Sequence, residues 1–281
     1  VGRDEEEGLN FSRLFASQIG LICPYDCQVL KVMDVGGDKR TTFLRKMKFL
    51  DNRKGRELVK IGVLYCANGQ TCQRDILANK MGSEVYERFV DRLGEEVDLK
   101  YHKGFNGKLD VKYFSNGRKM KYYATDKVEV AFHVATRMPT VIHDSQQVKK
   151  KQHVGNDHVT IVWSEHKRDY LPCTVTSEFN DVVIALHPLK RGGREGLLRV
   201  RVTVKEGVKW FGGLSDGMLI KIEDAPALVR QTAINANRVI RGEIEGKSSN
   251  SQRRKLIKEI CDTYGKDYEG AEVWEMLCRE G

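Results

Sequence analysis

The sequence predicts a mixed α/β fold for this chain. Segments with an apolar residue every three or four positions alternate with short apolar runs rich in valine and isoleucine, patterns typical of helices and buried strands respectively. The 281 residues are 40% hydrophobic and 31% charged, enough to bury a core in one large domain or two modest ones. The longest apolar runs are far shorter than the roughly 20 residues of a membrane-spanning helix, so we expect no transmembrane segment.

The first half of the chain is predicted to contain two helices and one buried strand. An apolar face over residues 42–50 indicates a helix, and the apolar run 59–66 indicates a buried strand. Ser83 is a suitable N-cap for the second helix, and Gly94 is a suitable stop signal. The apolar face of this helix is formed by Val85, Phe89 and Leu93. The glycine- and tyrosine-rich residues 104–123 indicate short strands and turns.

The second half is predicted to contain a series of strands followed by two helices. The strands are residues 128–134, 159–163, 182–187, 197–204 and 218–222. The lysine-rich segment 144–152 between the first two strands indicates a largely solvated helix. After Asp224, a suitable helix cap, the apolar face predicts a long helix that ends at Gly242. A shorter helix is predicted over residues 253–263.

These elements suggest three parts. We expect a partly ordered N-terminal extension over residues 1–40, an N-terminal lobe over residues 41–126, and a second lobe with the C-terminal helices over residues 127–281.

Charge and cysteine content narrow the class of protein. The net charge of +9 arises from 48 basic and 39 acidic residues that are mixed along the chain, and the dense basic runs are only 149–151 and 253–255. A nucleic-acid-binding protein concentrates its basic residues in one stripe, so we expect no nucleic-acid partner, whereas a protein partner or a nearby anionic membrane would explain the balance. Seven scattered cysteines and an acidic segment at residues 4–7 favour a reduced, cytoplasmic protein without a secretion signal.

Three sequence features suggest a nucleotide-binding, hydrolytic or metal-binding activity of the chain itself. None of them meets all the requirements of the corresponding motif. Gly242 and Gly246 are followed by Lys247-Ser248, but three residues separate these glycines where a phosphate-binding loop has four. Residues 213–217 match Gly-x-Ser-x-Gly, yet a strand is predicted after them and no histidine follows His187 to complete a triad. The cysteine and histidine spacings match no zinc motif. We therefore predict no metal and no cofactor site.

The segment Lys149-Lys150-Lys151-Gln152-His153-Val154-Gly155-Asn156-Asp157 admits two interpretations. The residues Gly155, Asn156 and Asp157 favour a simple turn before a strand. Alternatively, His153 and Asn156 are three positions apart, so an imidazole and a carboxamide can lie on the same side of a helical turn and face one partner. The adjacent lysines would then contact an acidic surface.

Several blocks in this order resemble the Rap-type GTPase-activating domain, a family that includes the Rap activators, tuberin and the Ral activator α subunits. The resemblance spans about residues 44–263. It rests on residues 60–65 with Gly69-Gln70, Gly82-Ser83 with Tyr86 and Phe89, residues 130–139, and His153-Val154-Gly155-Asn156-Asp157. Residues 162–166, 168–170 and 232–236 resemble the Ral-activating α subunit more than tuberin.

The resemblance implies a two-lobed domain, in which a dimerisation-like lobe joins a catalytic lobe whose mixed sheet and flanking helices resemble a G domain. It further implies that Asn156 is a catalytic asparagine thumb supplied to a Ras-family GTPase, with Ral as the expected substrate and Rheb next. The histidine of the block, His153, is implied to bind the GTPase, and we add Lys149, Lys150, Lys151, Gln152 and Asp157 to the expected contact surface. GTP and magnesium would belong to the partner, and a non-catalytic regulatory subunit is expected in a larger complex, in the cytoplasm or recruited to membranes through the GTPase.

Two positions depart from the family pattern. Gln152 occupies the position before the histidine where arginine is common, so a cationic contact is lost or taken over by Lys150 or Lys151. His158 stands where an aromatic or acidic residue is usual, and the sequence assigns it no role. His133, on an apolar strand, is interpreted as a core histidine whose hydrogen bonds are satisfied. The alternatives to an activator are a module of the same fold that only binds a GTPase or scaffold, and a hydrolase with its own substrate, for which no catalytic constellation is present.

Overall fold

The computed structural model describes residues 32–33, 35–52, 55–141, 144, 146–189, 196–245 and 249–266. Most of the predicted extension 1–40 lies outside these residues. The described residues up to 54 and from 251 onward form one compact unit, and those between 55 and 250 form the other. No described helix has the length and apolar character needed to cross a membrane.

The described residues contain ten strands and six α-helices. The strands are β1 (Val32–Met33), β2 (Glu57–Cys66), β3 (Glu95–Asp98), β4 (Lys119–Ala124), β5 (Val128–Val134), β6 (Val159–Ser164), β7 (Val182–Pro188), β8 (Leu197–Val204), β9 (Leu219–Lys221) and β10 (Gly265–Lys266). The helices are α1 (Lys39–Asp51), α2 (Gln73–Ala78), α3 (Glu84–Leu93), α4 (Val148–Val154), α5 (Ala225–Glu245) and α6 (Ser249–Tyr264). This confirms the predicted mixed α/β class.

An eight-stranded mixed sheet with the order β3-β4-β5-β2-β6-β7-β8-β9 organises the larger unit. The four central strands are parallel, and antiparallel pairs complete both edges. Strands β5 and β6 are buried along their whole length, as expected for parallel strands covered on both faces. That requirement explains why both strands consist mainly of apolar residues.

Helices cover both faces of this sheet. On one face, α3 and α5 pack over alternate residues of the strands, with Phe89, Trp163 and Ala233 in the shared core. On the other face, α2 and α4 cover a smaller core that includes Ile76, Val154 and the alternate residues of β2 and β6. Because successive strand residues point to opposite faces, each strand contributes to both cores.

The residues predicted to begin and end α3, Ser83 and Gly94, flank the helix in the structure. The Ser83 side chain accepts a hydrogen bond from the backbone N–H of Tyr86 at 3.3 Å, which satisfies one of the free donors at the helix N-terminus. Gly94 ends the helix in an extended conformation, with φ −177°, and leads directly into β3. Its role is close packing, since a Cβ there would meet the backbone of Tyr122.

Two predicted boundaries differ from the structure. Helix α5 continues through Gly242 to Glu245, because one glycine costs a long, well-packed helix only about 1 kcal/mol. The predicted lobe boundary at residues 126 and 127 falls inside the hairpin that joins β4 to β5, two paired neighbours in one sheet. Strand β2 also lies at the centre of that sheet, between β5 and β6. Residues on both sides of the predicted boundary therefore belong to one sheet, because strands that are distant in the sequence pair with one another.

The smaller unit consists of α1, α6 and the short antiparallel pair β1 and β10. Its core contains Leu50, Ile260 and Tyr264. The rings of Phe43 and Tyr264 meet edge to face, with 5.1 Å between their centroids. An ion pair of 2.7 Å between Lys46 and Glu259 joins the two helices.

Gly62 allows α4 to lie directly against β2. A Cβ at this position would be 2.9 Å from Cγ1 of Val154 and 3.1 Å from Oγ1 of Thr160. We expect Gly62→Ala to lower the free energy of unfolding by about 1–3 kcal/mol through overpacking, as measured by urea denaturation. Gly55→Ala is the control, because a Cβ there meets no atom within 4 Å. Equal unfolding midpoints for the two variants would contradict this account of the contact.

Candidate functional site

The candidate site is the turn that follows α4. The helix ends at Val154, and the backbone N–H groups of Gly155 and Asn156 donate to the carbonyls of Lys151 and His153 at 2.7 and 3.1 Å. Gly155 suits this tight helix end, because a Cβ would lie 2.7 Å from the Lys151 carbonyl oxygen. Asn156 is exposed immediately after it.

The carboxamide of Asn156 is held in one orientation. Its Nδ2 donates to the backbone carbonyl of Gln152 at 2.7 Å. Since a carbonyl oxygen can only accept, this contact assigns the nitrogen to the helix side of the amide. The described residues provide no hydrogen bond to Oδ1, which leaves the amide oxygen available to a donor from outside the chain. The Asn156 side chain therefore presents its amide oxygen, a hydrogen-bond acceptor, to solvent. The backbone that carries it is held by the hydrogen bond from the Asn156 N–H to the His153 carbonyl.

A buried ionic cluster lies beneath this turn. Asp157 is completely buried, with one carboxylate oxygen 2.6 Å from Nδ1 of His133 and the other 3.2 Å from Nζ of Lys60. Nε2 of His133 lies 3.0 Å from the carbonyl of Gly107, an acceptor, so both ring nitrogens face acceptors. Lys60 also donates to the Asn156 carbonyl at 3.4 Å. The cluster thus ties the turn to β2 and β5.

His153 and Asn156 have different surroundings. The His153 ring packs edge to face on His133, with centroids 5.2 Å apart. Burial, reinforced by the neighbouring His133, lowers the pKa of His153 to about 4. The imidazole is therefore neutral near pH 7, and any contact that it makes with a partner is uncharged.

Two residues predicted to contact a partner are interior. Lys150 is 1% exposed, and its ammonium donates to the carbonyls of Leu77 and Asn79 and to Oγ1 of Thr140 at 2.9, 3.2 and 2.8 Å. Asp157 is buried in the ionic cluster described above. The structure thus contradicts direct surface contact by either side chain and leaves Lys149, Lys151 and Gln152 at or near the surface.

Burial, together with the charge of Lys80, lowers the pKa of Lys150 to about 8, from 10.5. Between these two values the unfolded chain binds more protons at this position than the folded chain does, so stability rises with pH. We expect the stability of the wild type relative to Lys150→Met to increase from pH 8 to about pH 10. Urea unfolding at several pH values measures this difference, and parallel profiles for the two proteins would contradict it.

A groove borders Asn156 between α4 and the connection from β6 to β7. It has a volume of about 580 Å³, and Val148 and Phe179 line it with side chains that are 57% and 51% exposed. Lys151 donates to Oγ1 of Thr176 at 3.2 Å across the groove. Ser177 donates to the Gly155 carbonyl, which anchors this connection to the end of α4. Apolar and polar side chains thus both line the groove beside the carboxamide, and Glu178 adds an acidic residue to the lining.

The remaining histidines of this region have structural partners. His133 is buried with both nitrogens hydrogen-bonded, which confirms its interpretation as a core histidine. Nδ1 of His158 lies 2.7 Å from the Asp181 carboxylate, and the His158 carbonyl accepts from the backbone N–H groups of Asp181 and Val182. His158 therefore joins β6 to the segment that precedes β7.

Sequence reasoning missed three residues that position this turn. Lys60 interrupts an apolar strand, which is the signal that could have drawn attention to it. Gln147 precedes α4 with φ 49° and donates to the carbonyls of Val141 and Asp144. Ser177 lies far along the chain and has no local signal, because only the fold brings it to Gly155.

The fold and the site together define a mixed α/β domain whose candidate functional amide lies on the surface beside a groove, rather than in an enclosed pocket. A sequence profile of the Rap/ran-GAP family matches residues 76–259. The chain belongs to that family.

Similar proteins support this assignment. The chain is 44% identical over 221 residues to the Ral GTPase-activating protein subunit alpha-2 of Mus musculus, which covers 79% of this chain and 12% of that protein. It is 45% identical over 206 residues to the Homo sapiens subunit alpha-1, covering 73% and 10% respectively. The chain thus spans about a tenth of the length of these relatives. The solved "Structure of the TSC2 GAP domain" is 34% identical, with a TM-score of 0.60, and the match covers 65% of this chain and 96% of that one.

Proposed function

We propose that this chain is a GTPase-activating domain that acts on a Ras-family small GTPase, with Ral as its preferred substrate, and that Asn156 is its catalytic thumb. The observation that supports the proposal is the exposed Asn156 carboxamide, fixed at the end of α4 with its oxygen available. Relatives named as Ral GTPase-activating subunits at 44% and 45% identity support the choice of Ral.

A carboxamide suits the chemistry of GTP hydrolysis in a partner. The reaction requires a water molecule held in line with the terminal phosphate and stabilisation of the charge that develops on the phosphate oxygens. The amide oxygen accepts a hydrogen bond from that water, while the second N–H of Nδ2 can donate to a phosphate oxygen. Asn156 would orient the water without neutralising charge. GTP and magnesium would be supplied by the GTPase, and the chain would act as an activator without a substrate of its own.

The groove beside Asn156 would receive part of the GTPase surface. Val148 and Phe179 provide apolar contact area, and the exposed Lys149 and the neighbouring Lys151 provide positive charge. Gln152, also exposed, replaces a common arginine of the family, so Lys149 and Lys151 carry the cationic contribution of α4. His153 would contribute as a neutral group.

The wider setting of the domain is also part of the proposal. The relatives are named as α subunits, which supports assembly with a non-catalytic regulatory subunit. We place the complex in the cytoplasm, with recruitment to membranes through the GTPase that it acts on.

A single-turnover assay of GTP hydrolysis tests this function. Ral, Rheb and Rap loaded with GTP are each mixed with increasing amounts of the chain, and phosphate release is followed. We expect the largest acceleration with Ral. Preferential acceleration of Rheb would indicate a tuberin-like activator of Rheb instead of an activator of Ral. Binding without acceleration of any GTPase would indicate a module of the same fold that only binds its partner.

A further inference from the structure

A cavity of about 420 Å³ opens at the carboxyl ends of β2 and β6. These strands are parallel neighbours, but the next strand along the chain after β2 is β3, on the β5 side of the sheet, whereas the next strand after β6 is β7, on the opposite side. In an open α/β sheet, the ends of two strands whose connections diverge in this way leave a crevice in which ligands bind. The strand order therefore makes this cavity a candidate site for a ligand. Asn156 is not one of its lining residues.

One side chain in the cavity has an unused hydrogen-bonding capacity. Ser164, the last residue of β6, is 1% exposed, and its hydroxyl has no hydrogen-bond partner of good geometry among the described residues. Its polar neighbour is the thiol of Cys66, the register partner on β2, which also lines the cavity. A buried hydroxyl without a good partner is costly, and a bound polar ligand would remove that cost.

The rest of the lining offers donors and one cation. The Arg168 backbone N–H donates to Nδ1 of His166 at 3.0 Å, so a neutral His166 carries its proton on Nε2. The exposed Arg168 guanidinium makes no ion pair within the described part of the chain. Asp169, the carboxylate of the lining, is already held by Arg199 and Arg201.

We propose that this cavity binds the phosphate group of a small molecule, with Arg168 and the hydroxyl of Ser164 as its principal contacts. A phosphate oxyanion accepts several hydrogen bonds at once, and an arginine fork matches its geometry. The connection from β6 to β7 lines both this cavity, through residues 166–174, and the groove beside Asn156, through residues 176–179. The proposal does not depend on GTPase activation.

Isothermal titration calorimetry of the full chain with inorganic phosphate and with pyrophosphate tests the site. We expect binding of pyrophosphate that weakens about tenfold in Arg168→Gln, the loss of one charge-assisted contact. The matched control is Lys167→Gln, which removes the same charge from an exposed neighbour outside the lining, and it should change the affinity less than about twofold.

The hydroxyl is tested with Ser164→Ala, which should also weaken binding while the melting temperature confirms that the variant is folded. The proposal is overturned if neither anion binds, if the two charge variants weaken binding equally, or if folded Ser164→Ala binds as the wild type does. Should Ser164→Ala fail to fold, the comparison of the Arg168 and Lys167 variants decides the question alone.

Discussion

Replacing Asn156 with alanine should reduce GAP-stimulated GTP hydrolysis by about two to three orders of magnitude, the usual cost of removing one preorganised hydrogen-bonding group from a reaction site. The side chain is exposed and makes one hydrogen bond, to the Gln152 carbonyl, so the fold should be unaffected. Single-turnover rates at saturating activator measure the effect on the chemical step separately from association.

Two further variants make this prediction specific to the carboxamide. Asn156→Asp retains accepting oxygens but loses the N–H donors and places a negative charge near phosphate, so we expect it to be as inactive as the alanine variant. Asn68→Ala removes another exposed asparagine, in the turn after β2, and should retain the wild-type rate. Wild-type stimulation by Asn156→Ala would refute the thumb assignment and leave the family membership intact.

Replacing Asp157 with alanine should lower the free energy of unfolding by about 3–5 kcal/mol, because it removes a completely buried carboxylate from the groups that it pairs with. The affected groups are Lys60 and His133, which flank the carboxylate at 3.2 and 2.6 Å. Urea denaturation measures the loss. We also expect reduced GTPase stimulation, since the backbone of Asn156 is held through the same cluster.

A second aspartate and histidine pair provides the control for Asp157. Asp181 lies 2.7 Å from His158, but their side chains are 18% and 30% exposed. Asp181 also lies 3.5 Å from Nζ of Lys205, whose side chain is 45% exposed. Asp181→Ala should therefore cost only about 1 kcal/mol, because water can solvate the two groups that remain. If both aspartate variants lose the same small amount of stability, the burial of Asp157 does not make its ion pairs more stabilising than those of Asp181.

Local patterns predicted most of the helices and strands in this chain. The period of apolar residues located α3 and α5, and short runs rich in β-branched residues located β5, β6 and β7. These signals are local, since a helix face or a strand can be recognised within about ten residues. The extent of α5 beyond Gly242 and the place of β2 at the centre of the sheet required knowledge of packing with distant segments.

The lysines of α4 show why local patterns do not identify a contact surface. Lys149, Lys150 and Lys151 are chemically alike and consecutive, and the sequence alone suggested that all three face a partner. On a helix, successive side chains are rotated by about 100°, so three consecutive lysines of α4 point in different directions. Lys150 occupies an interior position and binds backbone carbonyls.

The sequence by itself determined most of the helices and strands, the family and the presence of an asparagine in the turn after α4. The tertiary structure alone decided which side chains of that segment are available: Asn156 faces solvent, Asp157 lies between Lys60 and His133, and Lys150 is interior. The physical reason is that secondary structure depends on neighbours along the chain, whereas the burial of a charge depends on strands and helices that meet only after folding.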